Sequence, residues 1–173
     1  MKSSSIKMIS RYEKAIINVI KDQHSFCQII LDLNAFLIIF HKYKLESFYS
    51  GKKSELQNVI NSIKIHNISK NIINTILKKR RIDILEFLLK RLSNVYSVNY
   101  NVNVVVVSSS VMTDYDMICK MDNFKNCLIL FRQEKNTKLL NIKINDLVLN
   151  FNLDSRINKI KRDFAKNILN LLV

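Results

Sequence analysis

The side chains of this 173-residue sequence best suited to bond-making chemistry are three histidines, three cysteines and a short acidic cluster. His24, His41 and His66 lie far apart, and none belongs to a metal-ligand pair such as HExxH, so each reads as an ordinary polar histidine. Cys27, Cys119 and Cys127 are an odd set without CxxC spacing, which indicates neither a disulfide framework nor a zinc site and suits a reducing compartment. Asp114, Asp116 and Asp122 lack the glycine turn and the terminal glutamate of a calcium loop. No GxSxG elbow is present, and a single glycine in the whole chain leaves no P-loop or dinucleotide fingerprint. The expectation is a protein that binds rather than catalyses, with no catalytic residue, metal site or cofactor.

Charge is the remaining chemistry. Twenty-eight Lys and Arg against fourteen Asp and Glu give a formal net charge of +14. Such a balance suits an anionic partner, whether nucleic acid, lipid or an acidic protein surface. The lysines are dispersed, however, and Lys78-Lys79-Arg80-Arg81 is the one dense run. Heavy use of Lys, Ile and Asn also follows from AT-rich codons, which would place the lysines on solvated faces. No nucleic-acid recognition motif appears, and aromatic residues are not interleaved with basic ones as stacking platforms require. A basic RNA- or ribosome-associated helical protein therefore stands as the alternative to a protein-binding adaptor.

The elements that would position any such site divide the chain in two. Up to about residue 98 the apolar residues recur at three- and four-residue spacing, which predicts helices. The first runs from about Ser10 to Lys21, with Ile9, Tyr12, Ile16, Val19 and Ile20 on one face. A second spans about Ser25 to Lys42, and Ser54 caps a third carrying Leu56, Val59, Ile60 and Ile63. Another begins at Asn67 or Ser69 and holds Ile72, Ile73, Ile76 and Leu77, with the basic run at its C-terminus, where cations suit the helix dipole. Ile84, Leu85, Leu88, Leu89, Leu92 and Val95 mark the last. Beyond it, Val102 and Val104–Val107 read as a strand ended by three serines, Thr113 caps a helix to about Met121, and Cys127–Phe131 reads as a second strand. Leu140–Ile144 and Leu147–Phe151, joined by Asn145-Asp146, predict a hairpin. Asp154 or Ser155 caps a terminal helix with Ile157, Ile160, Phe164, Ile168 and Leu171 on one face.

The N-terminus lacks the apolar stretch of a secretory signal. The longest uninterrupted apolar run, Ala35–Phe40, is far short of the roughly 20 residues that cross a bilayer. One further feature bears on binding. Ile72 with Ile73, and Ile76 with Leu77, give one helix an apolar arc wider than a single core-facing stripe, which would leave a groove for a partner helix.

Four stretches, in order, make the chain resemble the delta subunit of bacterial F-type ATP synthase, called the oligomycin-sensitivity-conferring protein in mitochondria. Arg11-Tyr12-Glu13-Lys14-Ala15 is similar to that family's opening Arg-Tyr-Ala-Lys-Ala helix. Lys79-Arg80-Arg81-Ile82, with Leu85 and Phe87, resembles its Asn-Gly-Arg-Leu turn. Val105-Val106-Val107-Ser108-Ser109 resembles the strand ending in Val-x-Ser-Ala. Ile142 to Leu149, then Asn152-Leu153 and Arg156, resembles the hairpin and the segment before the final helix. The match covers about Ser10 to Leu172. Three glycine sites depart from it. Arg80 stands for the glycine of the Asn-Gly-Arg turn, Asn145 for the glycine before the hairpin aspartate, and Lys138-Leu139-Leu140 for a glycine pair.

The resemblance implies an α+β chain: a six-helix bundle over residues 1–98, then a small C-terminal α/β unit over 99–173 with the hairpin and a terminal helix. It implies a non-catalytic stator subunit at the cytoplasmic face of the bacterial plasma membrane, touching the membrane only through its complex. In this family the bundle grips the N-terminal helix of an alpha subunit between its first and fifth helices, and the C-terminal unit binds the b subunits of the peripheral stalk. The groove so implied comprises Tyr12, Ala15, Ile16 and Val19 on one side and Ile72, Ile73, Ile76 and Leu77 on the other. Nucleic acid is not an expected partner.

Overall fold

A computed structural model describes residues 3–20, 22–43, 45, 58, 60–63, 65–109, 118–120, 122–133, 139–145 and 147–152. Among the described residues four α-helices occupy its N-terminal half: α1 (Ser3–Val19), α2 (Gln23–Lys42), α3 (Asn67–Lys78) and α4 (Leu85–Tyr100). Residues 58 and 60–62 are helical as well. Four strands follow: β1 (Asn103–Ser109), β2 (Cys127–Gln133), β3 (Leu139–Ile144) and β4 (Leu147–Asn152). The α1 helix begins seven residues before the expected Ser10. The expected helices at 54–63 and 114–121 fall only partly within the described residues, and the terminal helix lies outside them.

Local chemistry accounts for the helix ends. Asp22 caps α2, accepting a hydrogen bond from the Ser25 backbone N–H at 2.8 Å and another from the Ser25 hydroxyl. Those bonds hold its carboxyl below the usual carboxylate range. The cap is therefore intact above the ordinary Asp pKa and lost as pH falls through the lowered one. His66 caps α3, its ring Nδ1 accepting from the Ile68 N–H at 3.3 Å, a role that its isolation in sequence did not suggest. Asn101 ends α4 in the left-handed conformation, φ 52°, which asparagine tolerates better than most residues.

The sheet order is β2-β1-β3-β4, with β1 parallel to β2 and antiparallel to β3, and β3 antiparallel to β4. Asn145, φ 50°, starts the two-residue hairpin turn. Its backbone N–H donates to the Val104 carbonyl at 3.1 Å, and its side-chain oxygen accepts from the Val104 N–H at 3.3 Å. The turn is thereby tied to the start of β1. Strand alternation explains the valine run. Val105 and Val107 pack with Ile118, Ile129, Phe131 and Ile142 on one face, while Val104 and Val106 join Leu128 and Leu130 on the other. A central strand covered on both faces needs no polar residue between them.

Among the described residues the N-terminal half shows four α-helices and part of another in place of the six-helix bundle implied by the resemblance, and only the α+β class holds. The reason lies in α2. Its buried residues, Phe26, Ile29, Ile30, Asp32, Leu33, Asn34, Phe36, Leu37 and Phe40, occupy most of its circumference. A helix whose apolar residues reach well beyond one stripe needs cover from more than one neighbour, and here β2 joins α3 and α4 in supplying it. Leu128 and Leu130 belong to the same core as Leu33, Ile76 and Leu88. The Asn34 amide, oriented to match, donates to the Phe131 carbonyl at 3.0 Å and accepts from the Phe131 N–H at 3.1 Å, so α2 also satisfies one outer backbone pair of β2. The change at residue 98 is thus one of element type and not a break in packing. By length and composition α2 is also the one described helix apolar enough to cross a membrane, but half of it is buried within the fold.

One strained residue stands out. Past the end of α3, the Arg80 N–H donates to the Leu77 carbonyl at 2.9 Å and the Arg81 N–H to the Ile76 carbonyl at 3.0 Å. This double closure requires a left-handed residue between them, and Arg80 adopts φ 53°. Glycine takes that conformation without steric cost. Arg80→Gly is expected to raise stability by about 1 kcal/mol, read as a higher urea midpoint. An unchanged or lower midpoint would show that the arginine side chain compensates its own strain.

Candidate functional site

The eight residues of the expected groove do not line one surface. Ile16, Ile73, Ile76 and Leu77 lie in the core, Ile73 and Ile76 with no exposure at all. Tyr12 and Ile72 are half-buried and pack against that core. Ala15 and Val19 are exposed, Val19 by 54%. The packing partners explain this: α1 lies on α4, where Arg91 pairs with Glu13 at 3.1 Å, and α3 lies on α2. The broad apolar arc of α3 is taken up by the core around α2, because an apolar face is covered by whichever neighbour the fold supplies.

The N-terminus of α3 is fixed to α2 by a buried carboxylate. Asp32, 4% exposed, accepts from the His66 backbone N–H at 2.9 Å, the Ser69 hydroxyl at 2.7 Å and the Gln28 amide at 2.8 Å. An anion at a helix N-terminus is favoured by the unpaired N–H groups and the dipole there. Its role is to set the position of α3, and so of everything carried beyond its far end.

At that far end, α1 and the turn after α3 face each other across an open cleft of about 420 Å³. Its walls are Lys7, Met8, Arg11 and Tyr12 from α1, with Lys79 and Arg81 from the turn. The left-handed Arg80 between Lys79 and Arg81 is what turns the chain there. None of the four cations forms an ion pair with a described residue, and Glu13, the acid nearest in sequence to Arg11 and Tyr12, is engaged by Arg91. The Tyr12 hydroxyl is sealed from solvent and has no hydrogen-bond partner among the described residues. Four cationic side chains line the depression, and most of its wall is apolar, the aliphatic stems of those side chains included. Among the described residues its walls carry no carboxylate, histidine or cysteine. Elsewhere, no group of three or more His, Cys, Asp or Glu side chains is placed to hold a metal among the described residues.

Compared with known proteins, the chain matches no family model and none of the curated proteins.

Sequence reasoning found Tyr12 and the basic run but missed Lys7 and Met8 and gave Arg11 no role in a site. A signal was present. Lys7 and Arg11, and likewise Met8 and Tyr12, are four residues apart, so a cationic and an apolar row run side by side on α1. What no local pattern shows is that this face meets a turn some seventy residues later.

Proposed function

We propose that this protein is a non-catalytic adaptor of the delta, or oligomycin-sensitivity-conferring, type. In this reading it links the alpha-subunit N-terminal helix of an F-type ATP synthase head to the b subunits of the peripheral stalk at the cytoplasmic face of the plasma membrane. It has no active site or cofactor of its own, and it acts by preventing the head from turning with the central shaft. The observation that supports this reading is backbone conformation at two glycine sites of that family. Arg80 and Asn145 stand at those sites, and both have positive φ, 53° and 50°. Both keep the left-handed backbone that glycine takes without steric cost, in the two settings, a helix C-terminus and a two-residue hairpin, that call for it in any fold.

With Ile16, Ile73, Ile76 and Leu77 in the core, the surface left for the alpha-subunit helix is Tyr12, Ala15 and Val19 on α1, with the edge of Ile72 on α3. On the sheet side, β4 exposes Leu147, Val148 and Leu149, which offer an apolar edge to the stalk. The test is titration of the full chain with the alpha-subunit N-terminal peptide from the same genome and, separately, with a soluble b-subunit fragment. Both are expected to bind. Val19→Asp is expected to weaken the peptide by about 2 kcal/mol while leaving the fold intact, since Val19 is largely exposed. Binding of neither partner would reject the adaptor reading, and unchanged peptide affinity in Val19→Asp would move the contact off α1.

A further inference from the structure

We infer that the cleft between α1 and the turn after α3 is a binding site for a compact polyphosphate, either free or carried by a nucleotide. The inference does not rest on the adaptor reading. It begins from charge. Lys7, Arg11, Lys79 and Arg81 converge on one depression, and none of them has an acidic partner among the described residues. Four like charges gathered there repel one another and raise the local attraction for an anion. Their arrival from two elements separated by some seventy residues is a product of the fold, not of a lysine-rich stretch.

The residue types narrow the ligand. Arg11 and Arg81 carry planar guanidinium forks that match phosphate oxygens in pairs, and Lys7 and Lys79 act as point charges beside them. A volume of about 420 Å³ falls within the range of roughly 300–1,000 Å³ found for small-molecule sites. Met8 and Tyr12 add an apolar and aromatic wall on which a planar group can rest. A nucleic-acid strand is disfavoured, because its backbone calls for cations strung along a track with repeated stacking platforms, whereas these four surround one depression with one aromatic residue. An acidic helix is disfavoured because Ile73 and Ile76, which would floor an elongated groove, are fully buried.

The left-handed turn fits the same account. Arg80 keeps a conformation better suited to glycine, and that conformation sends Lys79 and Arg81 to the cleft wall together. Local strain held by the surrounding structure is often found where a ligand is gripped.

The experiment is calorimetric titration of the full chain with inorganic tripolyphosphate, with ATP, and with a short single-stranded RNA, at about 50 mM salt, where exposed charges are weakly screened. Tripolyphosphate and ATP are expected to bind at one site. Arg11→Gln and Arg81→Gln are each expected to weaken binding about tenfold, and Lys90→Gln, an exposed cation on α4 away from the cleft, to leave it unchanged. If half-buried Arg81 proves necessary for folding, judged by circular dichroism, the exposed Lys79→Gln takes its place. Equal affinity for the two ligands assigns the site to free polyphosphate, and tighter ATP binding assigns it to a nucleotide with its base against Tyr12. The inference is overturned if neither ligand binds, if Lys90→Gln weakens binding as much as the cleft variants do, or if RNA binds where tripolyphosphate does not.

Discussion

Ile76→Asp is expected to unfold the protein. Ile76 has no exposed surface and packs in the core shared by the helices and β2. The substitution removes a buried aliphatic side chain and leaves a carboxylate with no partner, which must either stay charged in an apolar interior or take up a proton. Loss of the packing alone costs about 2–5 kcal/mol, and the unpaired polar group adds to it. The sum reaches the whole stability of an ordinary domain, about 5–15 kcal/mol. Far-ultraviolet circular dichroism with thermal melting checks this: Ile76→Asp should show no cooperative transition. The half-buried Ile72→Asp should still fold, with a lower midpoint. A native-like melt for Ile76→Asp, with only partner binding lost, would instead place Ile76 on a surface groove.

The second large effect concerns Asp32. Three donors from α2 and α3 converge on its carboxylate. Asp32→Ala leaves the buried Ser69 hydroxyl without its acceptor, at about 1–3 kcal/mol, and removes the part-buried bonds to the His66 N–H and the Gln28 amide, at about 0.5–1.5 kcal/mol each. A loss of about 3 kcal/mol or more is expected, seen as a lower urea midpoint. Asp32→Asn keeps one acceptor oxygen and should lose less. Because the bond network sits at the start of α3, hydrogen exchange should quicken first at Ser69 and Lys70. The cleft at the other end should loosen in turn, since α3 carries its basic turn. A midpoint shift worth less than about 1 kcal/mol would mean that water or neighbouring groups replace the carboxylate.

These two residues show where the sequence was informative and where it was silent. Ile76 was legible as apolar and helical. Its spacing with Ile72, Ile73 and Leu77 correctly marked a wide arc, but whether that arc met a partner or the protein's own core was not encoded locally. Asp32 sits inside the most apolar of the described helices, and nothing near it in sequence names His66 and Ser69, more than thirty residues away, as its partners. The hairpin, by contrast, was legible down to its turn, because Asn145-Asp146 is a local conformational signal flanked by two strand-forming runs.

The sequence by itself determined the identity of the elements: helices at α2, α3 and α4, the strands β1 and β2, and the hairpin of β3 and β4. Their periodicities and turn residues act over a few neighbouring positions. It also determined the strong positive charge and the absence of familiar catalytic motifs. Only the tertiary structure decided that helices and sheet share a core in place of a self-contained six-helix bundle. Only it decided that Arg80 takes a backbone conformation suited to glycine, and that Lys7 and Arg11 meet Lys79 and Arg81 across one cleft. Periodicity records which side of an element avoids water. Which neighbour covers that side depends on how α2, apolar around most of its circumference, is enclosed, and that is settled by long-range packing.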